Sequence, residues 1–319
     1  MGKAEVRGDY LERRTYYFII NPAAKNAGSL KVWEKTKETL DREGISYSYA
    51  FTEYKGHGVA LAREFLQSTG DAILVAVGGD GTIHEVANGA AGFPGVRIAY
   101  IPAGSGNDFA RGEGIDSRPL QALSGLLHSN KVRPIDLGFY KTSSGKGYLL
   151  NSLGIGLDAA ITEAVNQSRM KHYFNKLGAG KIIYLAYFLW KWMTYKPGEM
   201  EVEIDGESHS FTNTWLVNVS NHPYFGGGIK ISPNAKPDDG VFHILVIHNI
   251  PRIKLLLMFS TVLWGGHLKL RGVDSFEGRT IRVTSSFEVP IQADGENVGA
   301  GEAFIELKHH MVKLAVQGE

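Results

Sequence analysis

The segment AILVAVGGDGTIHEVANG, residues 72–89, joins an unbroken apolar run to a glycine-rich turn and then to helical spacing. An apolar run without polar alternation suits a strand covered on both faces, as in a parallel sheet flanked by helices. After Gly81 the period changes, with Ile83, Val86, Ala87 and Ala90 on one helical stripe and Asp80 or Thr82 as the expected N-cap. Gly78, Gly79 and Gly81 let backbone N–H groups approach a ligand closely, and the helix start adds unpaired donors and partial positive charge. That combination suits phosphate. A tight turn without a ligand would use the same glycines, so the rest of the chain decides.

The same alternation recurs up to residue 137: YYFIINP precedes a helical Leu30–Glu43, YSYAFT a helical Val59–Gln67, and VRIAYIPAG the helical segments Asp108–Arg111 and Leu120–His128. It predicts an α/β domain over residues 1–137, built on a parallel sheet. From residue 138 to 319 the pattern is mostly β, with GYLLNSLGIG, EMEVEID, HSFTNTWLVNVS, GVFHILVIH, TIRVTS, VPIQADGE and AFIELK as candidate strands. These predict an all-β sandwich, with helical insertions near 159–194 and 251–266 and a final segment that can return to the first domain. FIINPAAKNAG and IPAGSGNDFARG, like VGGDG, end strands of the first domain in polar or glycine-rich loops. Such loops gather at the carboxyl edge of a parallel sheet, where ligands bind.

Composition narrows the partners. With 34 basic and 33 acidic residues the formal net charge is +1, which gives no reason to expect nucleic acid. Cysteine is absent, which removes disulfides, thiolate metal sites and cysteine nucleophiles and fits a cytoplasmic protein. The apolar stretches IIYLAYFLW and LLLMFSTVLWGGHL are shorter than the ~20 residues a spanning helix needs. No P-loop pattern occurs. GIGLDA at Gly154 has the spacing of a dinucleotide fingerprint but sits among sandwich strands, without an acidic residue placed to read a ribose.

In order along the chain, VGGDGTIHEVANG, IPAGSGNDFARG, GGGIKISPNAKPDDGVFHILVI and IQADGE resemble the bacterial diacylglycerol kinases and related lipid kinases, the family that includes sphingosine and ceramide kinases. The GGDG element alone is shared with NAD kinases and phosphofructokinases; its conjunction with SGNDFAR and DGE is specific. The resemblance implies an NAD kinase/phosphofructokinase-like nucleotide-binding domain followed by a β-sandwich, with the active site between them, and an ATP- and Mg²⁺-dependent lipid kinase. It implies that Gly78, Gly79, Asp80, Gly81, Thr82 and Glu85 hold the ATP phosphates and metal. It assigns other nucleotide contacts to Asn21, Pro22, Ala23, Ala24, Lys25, Thr52, Ser105 and Asn107. Asp294 and Glu296, read as two residues of one strand with carboxylates on one face, would supply the base and its orienting or metal-binding partner, alongside Asp80; taken without the resemblance, ADGE reads as an acidic β-turn. A structural Mg²⁺ would take a side-chain oxygen from Asp239, the carbonyls of Lys236 and Val241, and Asp136 through water. Two residues depart from the family pattern: His84 stands where asparagine is usual, and Lys25 where glycine is usual.

Between Arg169 and Lys196, RMKHYFNKLGAGKIIYLAYFLWKWMTYK interleaves bulky aromatics with basic residues and carries no acidic one. It reads either as an element that meets an anionic membrane surface or as a helix packed on the sandwich with lysines at its edges. Tyr184, Leu185, Phe188, Leu189 and Trp192 accordingly line a lipid groove or fill core. The reading is a cytoplasmic kinase, peripheral at the inner face of the membrane, with a lipid substrate, diacylglycerol first among them, and with a homodimer compatible. A soluble kinase of the NAD kinase type and a catalytically silent nucleotide- or lipid-binding regulator are the alternatives.

Overall fold

The computed structural model describes residues 15–69, 72–168, 180–262 and 264–316. In its first part β1 (Tyr16–Ile20), β2 (Tyr47–Phe51), β3 (Ile73–Gly78) and β4 (Arg97–Pro102) form a parallel sheet in the order β2-β1-β3-β4. Strand periodicity sends alternate residues to opposite faces. Ile19, Leu74, Ala76, Ile98 and Tyr100 pack under α2 (His57–Thr69) and α3 (Asp80–Ala90). Phe18, Ile20, Val75, Val77, Ala99 and Ile101 face the other side, with α1 (Gly28–Glu43) and α5 (Pro119–His128). β3 is buried along its whole length, as its unbroken apolar run requires.

The second part is antiparallel. β7 (Ser152–Gly156), β9 (Glu207–Ser220), β8 (Gly198–Ile204) and β12 (Thr280–Ser285) are neighbours in that order; β10 (Phe242–His248) pairs with β9 and with β11 (Val273–Gly278). Their inward residues, among them Leu153, Val202, Val217, Phe242, Ile281 and Ile291, make one apolar core. α6 (Leu157–Gln167), α7 (Gly180–Thr194) and α8 (Arg252–Val262) are the helical insertions. A separate cluster of Leu157, Trp215, Leu245, Leu255 and Met258 accompanies them. Among the described residues no helix is long and apolar enough to cross a membrane.

Two strands join the parts. β5 (Val132–Thr142) gives Ile135 and Leu137 to the core under α3 and Tyr140 to the sandwich core, so the expected border at residue 137 falls inside a strand. β15 (Ala303–Ala315) pairs antiparallel with β5 and β12, and near its end parallel with β4 through Lys313 and Leu314. The terminal segment thus returns to the first sheet. One local expectation is corrected: the N-cap of α3 is Gly79, in extended conformation without a side-chain cap, and Asp80 is already the first helical residue. The Asp80 carboxylate is thus not spent on a cap and instead accepts the Phe109 N–H at the start of α4 (Asp108–Glu113).

Leu314 is fully buried where β15 meets β4. Leu314→Ala should therefore lower unfolding free energy by about 2–5 kcal/mol, the range for a buried leucine truncation. Urea denaturation reads this, and a loss under ~1 kcal/mol would show that β15 does not hold the two parts together.

Candidate active site

The carboxyl ends of β1, β2, β3 and β4 present four loops on one edge, and the chain order reverses between β1 and β3, where such sheets open a crevice. At the centre the GGDG turn lies against the AGSG turn. A Cβ on Gly104 would come 2.4 Å from the Gly79 Cα, so the two backbones approach as only glycine permits. A Cβ on Gly81, by contrast, meets no protein atom within 4 Å. Space beside the α3 N-terminus is open on that side.

Asp80 accepts the Phe109 N–H at 3.0 Å. Burial pushes its carboxyl up to about 6, and the charges of Asp108 and Asp294 add to the shift against the hydrogen bonds from Phe109 and Asn107. Asp108, the first residue of α4 (Asp108–Glu113), accepts Arg111 Nη1 at 2.6 Å and the Gly227 N–H at 2.7 Å. Gly227 belongs to the sandwich part, so Asp108 closes the cleft from both sides. Asp80 and Asp108, close enough for the Asp108 charge to raise the Asp80 pKa, offer hard oxygen donors of the kind a divalent cation takes.

The IQADGE segment departs from the expected geometry. β13 (Pro290–Ala293) and β14 (Glu296–Ala300) form a hairpin whose two-residue loop is Asp294-Gly295, with φ of 49° and 85°. Asp-Gly with both φ positive is the favoured two-residue hairpin turn. The two carboxylates therefore do not lie side by side on one strand. Asp294 is wholly buried: its Oδ2 accepts His84 Nδ1 and the Leu150 N–H, both at 2.7 Å, and its Oδ1 accepts the N–H groups of Asn151 and Ser152 at 2.8 and 3.0 Å. Burial alone would raise its pKa, but the His84 hydrogen bond and charge and the Leu150 and Ser152 N–H groups hold it below the usual carboxylate range. Every lone-pair direction is engaged. Glu296 is partly exposed and pairs with Lys55, on the loop after β2.

Other expected contacts sort by what their side chains touch. The Glu85 carboxylate accepts the N–H groups of Gly56 and Gly58 at 2.7 and 2.8 Å and so braces the start of α2. The Asn107 side chain accepts the Gly104 N–H at 3.1 Å and the Tyr100 hydroxyl at 3.0 Å and donates to the Gly104 carbonyl, which shapes the AGSG turn from within. Asn21 accepts the Ala23 N–H at 3.0 Å at the head of a turn in which Lys25, Asn26 and Ala27 all have positive φ. Pro22 and Ala24 are half-buried and Ala23 and Lys25 exposed on that turn, Thr52 is buried beside it, and Ser105 is exposed at the crevice. Thr82 is buried under Gly78, where a Cβ would meet its Oγ1 at 2.2 Å. Asp136 donates its N–H to the Pro237 carbonyl and accepts the Gly240 N–H at 2.9 Å, which seats the loop carrying Lys236, Asp239 and Val241 directly against it. Asp108, Arg111 and Lys55 were not assigned roles from sequence; Asp108 lies inside the quoted SGND motif, whereas Lys55 has no local signal.

The His84–Asp294 pair has opposite pH limits. The carboxylate raises the His84 pKa against burial, so its stabilisation is present below the unfolded value of 6.5 and is lost as pH rises through the raised one. The depressed Asp294 contribution is present above 3.8 and is lost as pH falls. Replacement by His84→Ala should cost the most stability between these limits, about 1–3 kcal/mol. The difference should shrink above neutrality; denaturation at pH 5 and 8.5 that gives equal losses would exclude a charged pair.

Two family models match in tandem: the diacylglycerol kinase catalytic domain over residues 15–140, and the YegS C-terminal NAD kinase beta sandwich-like domain over residues 151–316. A Bacillus subtilis (strain 168) protein named "Putative lipid kinase YtlR" is 32% identical over 289 residues, covering 89% of this chain and 94% of its own. A protein named diacylglycerol kinase from Mycobacterium tuberculosis (strain CDC 1551 / Oshkosh) is 26% identical over 283 residues, 87% of each chain. A crystal structure from Bacillus anthracis str. Sterne, described as a "putative diacylglycerol kinase", superposes with a TM-score of 0.78 over 98% of both chains; at 23% identity it shows the shared fold.

Proposed function

The chain belongs to the lipid kinase family that joins a diacylglycerol kinase catalytic domain to a YegS-type sandwich, a family of phosphotransferases, and on that premise we propose that it moves the γ-phosphoryl group of ATP to a membrane-lipid hydroxyl. Diacylglycerol is the first acceptor to test. The observation that carries the reading is the convergence of the open GGDG turn, Asp80, Asp108 and the ADGE hairpin on one cleft.

On this reading the Asn21–Lys25 turn, the Gly78–Thr82 backbone and exposed Ser105 line the nucleotide site beside buried Thr52, and the N–H groups at the start of α3 would take phosphate. Glu296 accepts the proton of the acceptor hydroxyl as its oxygen forms the new bond to phosphorus and the bond to the ADP oxygen breaks. Asp294 cannot take that part, because its lone pairs are engaged; it holds the hairpin that aims Glu296. Asp80, backed by Asp108, would hold Mg²⁺ at the phosphates, and Asp239 with the Lys236 and Val241 carbonyls beside Asp136 would hold a structural one. Bound there, Mg²⁺ neutralises charge that develops on the transferring group.

Gly81→Val should fold normally, since its Cβ meets only open space, yet lower turnover by about 100-fold or more by filling that space. Glu296→Gln should lower kcat by about 10²–10⁴-fold with little change in the KM for ATP. Radiolabelled ATP over a panel of extracted lipids measures both. Folded variants with wild-type rates would remove these residues from the mechanism.

An acceptor lipid also requires contact with a bilayer. Support comes from α7 and α8, joined where Trp192 Nε1 donates to the Arg252 carbonyl at 2.8 Å and Arg252 donates to the Trp192 and Tyr195 carbonyls. Met193, Ile253, Leu257 and the following Trp264 are each more than 60% exposed, Leu185, Leu189 and Trp190 are also exposed, and Lys191 lies 4.9 Å from the Trp190 ring centre. Phe188 and Trp192 turn inward instead; the side chain of Tyr184 and residues 169–179 lie outside the described residues. No acidic residue occurs in Gly180–Lys196 or Pro251–Gly266. Apolar bulk with a basic fringe fits an anionic lipid surface. Trp190→Ala combined with Trp264→Ala should weaken sedimentation with phosphatidylglycerol vesicles about tenfold or more, equivalent to ~1.4 kcal/mol or more, and spare activity on dispersed short-chain lipid. Undiminished sedimentation would assign this face another role.

A further inference from the structure

Consecutive residues of a regular strand point to opposite faces, so two adjacent histidines in a strand ordinarily cannot share a ligand. β15 breaks that rule at one place. Opposite β5, Lys308 pairs with Leu137 and Val312 with Ile135, which leaves His309, His310 and Met311 facing the single residue Asp136. His310 takes a left-handed φ of 52°, a conformation uncommon outside glycine. The bulge brings both imidazoles to one side, where the rings stack with centres 3.6 Å apart. Against them lies Asp136, fully buried, whose Oδ1 stands 2.9 Å from His309 Nδ1 and accepts the His310 N–H at 2.7 Å. A bulge is a retained feature of a strand that re-aims side chains.

We propose that Asp136, His309 and His310 form a binding site for a borderline divalent transition metal of the zinc, cobalt or nickel class. One donor atom from each residue lies within 4.8 Å of the others. Donors arranged tetrahedrally at about 2.1 Å from an ion are roughly 3.4 Å apart, so modest rotation of the exposed imidazoles closes the set. Two imidazoles and one carboxylate select this metal class over magnesium, which prefers oxygen alone. The electrostatic setting adds a constraint. Arg279 donates to the Gly240 carbonyl at 3.0 Å beside the cluster, and Lys308 is paired with Glu306. With that cation close by, an ion is held by coordination and not by an excess of negative charge. His309 is half-exposed, which leaves an entry path and a coordination position open to solvent.

This site shares Asp136 with the oxygen-donor loop of Asp239 but draws its nitrogen donors from a different strand, and it does not depend on the kinase reading. The test uses tag-free full-length protein, stripped by chelator and without ATP or lipid. Titrated CoCl2 should produce visible absorption bands at one equivalent, and ZnCl2 should raise Tm. Asparagine tolerates left-handed backbone, so the His309→Asn/His310→Asn double variant keeps the His310 N–H on Asp136 while removing the imidazoles. It should bind Co²⁺ and Zn²⁺ at least ~10-fold more weakly, whereas Asp239→Ala should keep the bands. Absence of bands and of Zn²⁺ stabilisation in the wild type would overturn the proposal. So would full retention of both in the double variant, or their loss in Asp239→Ala alone.

Discussion

The cleft is organised around one buried carboxylate. An ionised group fully removed from water costs several kcal/mol unless its lone pairs are filled. Asp294 is filled from three directions: His84 reaches it from α3, the Leu150–Ser152 backbone wraps it from between β6 (Gly145–Leu149) and β7, and its own turn supplies the positive φ that points it inward. Removing any one donor exposes the remainder to an uncompensated charge. α3 and the acidic hairpin are therefore locked in one relative position, with Glu296 at the hairpin paired to Lys55.

Other bonds fix the same cleft from its flanks. Asp108 takes the Gly227 N–H across the gap, and Arg133 on β5 pairs with both Glu113 at the end of α4 and Asp238 of the loop seated on Asp136. β5 and β15 run through both cores, so the two parts cannot hinge at a simple linker. Such an arrangement keeps the carboxylates preorganised, which is where electrostatic catalysis of phosphoryl transfer acts. The GGDG and AGSG turns gain their closeness from glycine, and the Asn107 side chain keeps the second turn in shape.

The sequence was most legible where one residue's neighbours settle its conformation. The β3 apolar run, the change of period after Gly81 and the alternation of strand and helix all act locally, and the parallel sheet follows. Side-chain partners set by distant residues are not legible locally. Glu85 and Asn107 occupy motif positions that suit a nucleotide, but their side chains are engaged by Gly56, Gly58, Gly104 and Tyr100. ADGE taken alone reads as an acidic turn, which the Asp294-Gly295 hairpin loop bears out, whereas the one-strand reading that puts both carboxylates on one face does not hold. His84 gives no local sign of its role, because its partner Asp294 lies 210 positions away. The histidine pair of β15 gave no signal, since only a bulge cancels strand alternation.

The same separation of local from distant control explains how the molecule divides its labour. Asp108 and Asp294 are buried and bonded to their surroundings, so substitutions there disturb both fold and site, whereas Glu296 is partly exposed and paired with Lys55. The exposed apolar residues of α7 and α8 carry few such ties; they are large, uncovered, and set among basic residues in a chain whose total charge is only +1. Water gives no reason to expose Met193, Ile253, Leu257 and Trp264 so near one another, and a patch of this kind needs a partner. For an acceptor whose hydroxyl lies at a bilayer surface, mobility belongs to the lipid, which can diffuse to a docked protein. On the proposed reading, bilayer contact falls to the exposed residues of α7 and α8, and the chemistry to the hydrogen-bonded cleft.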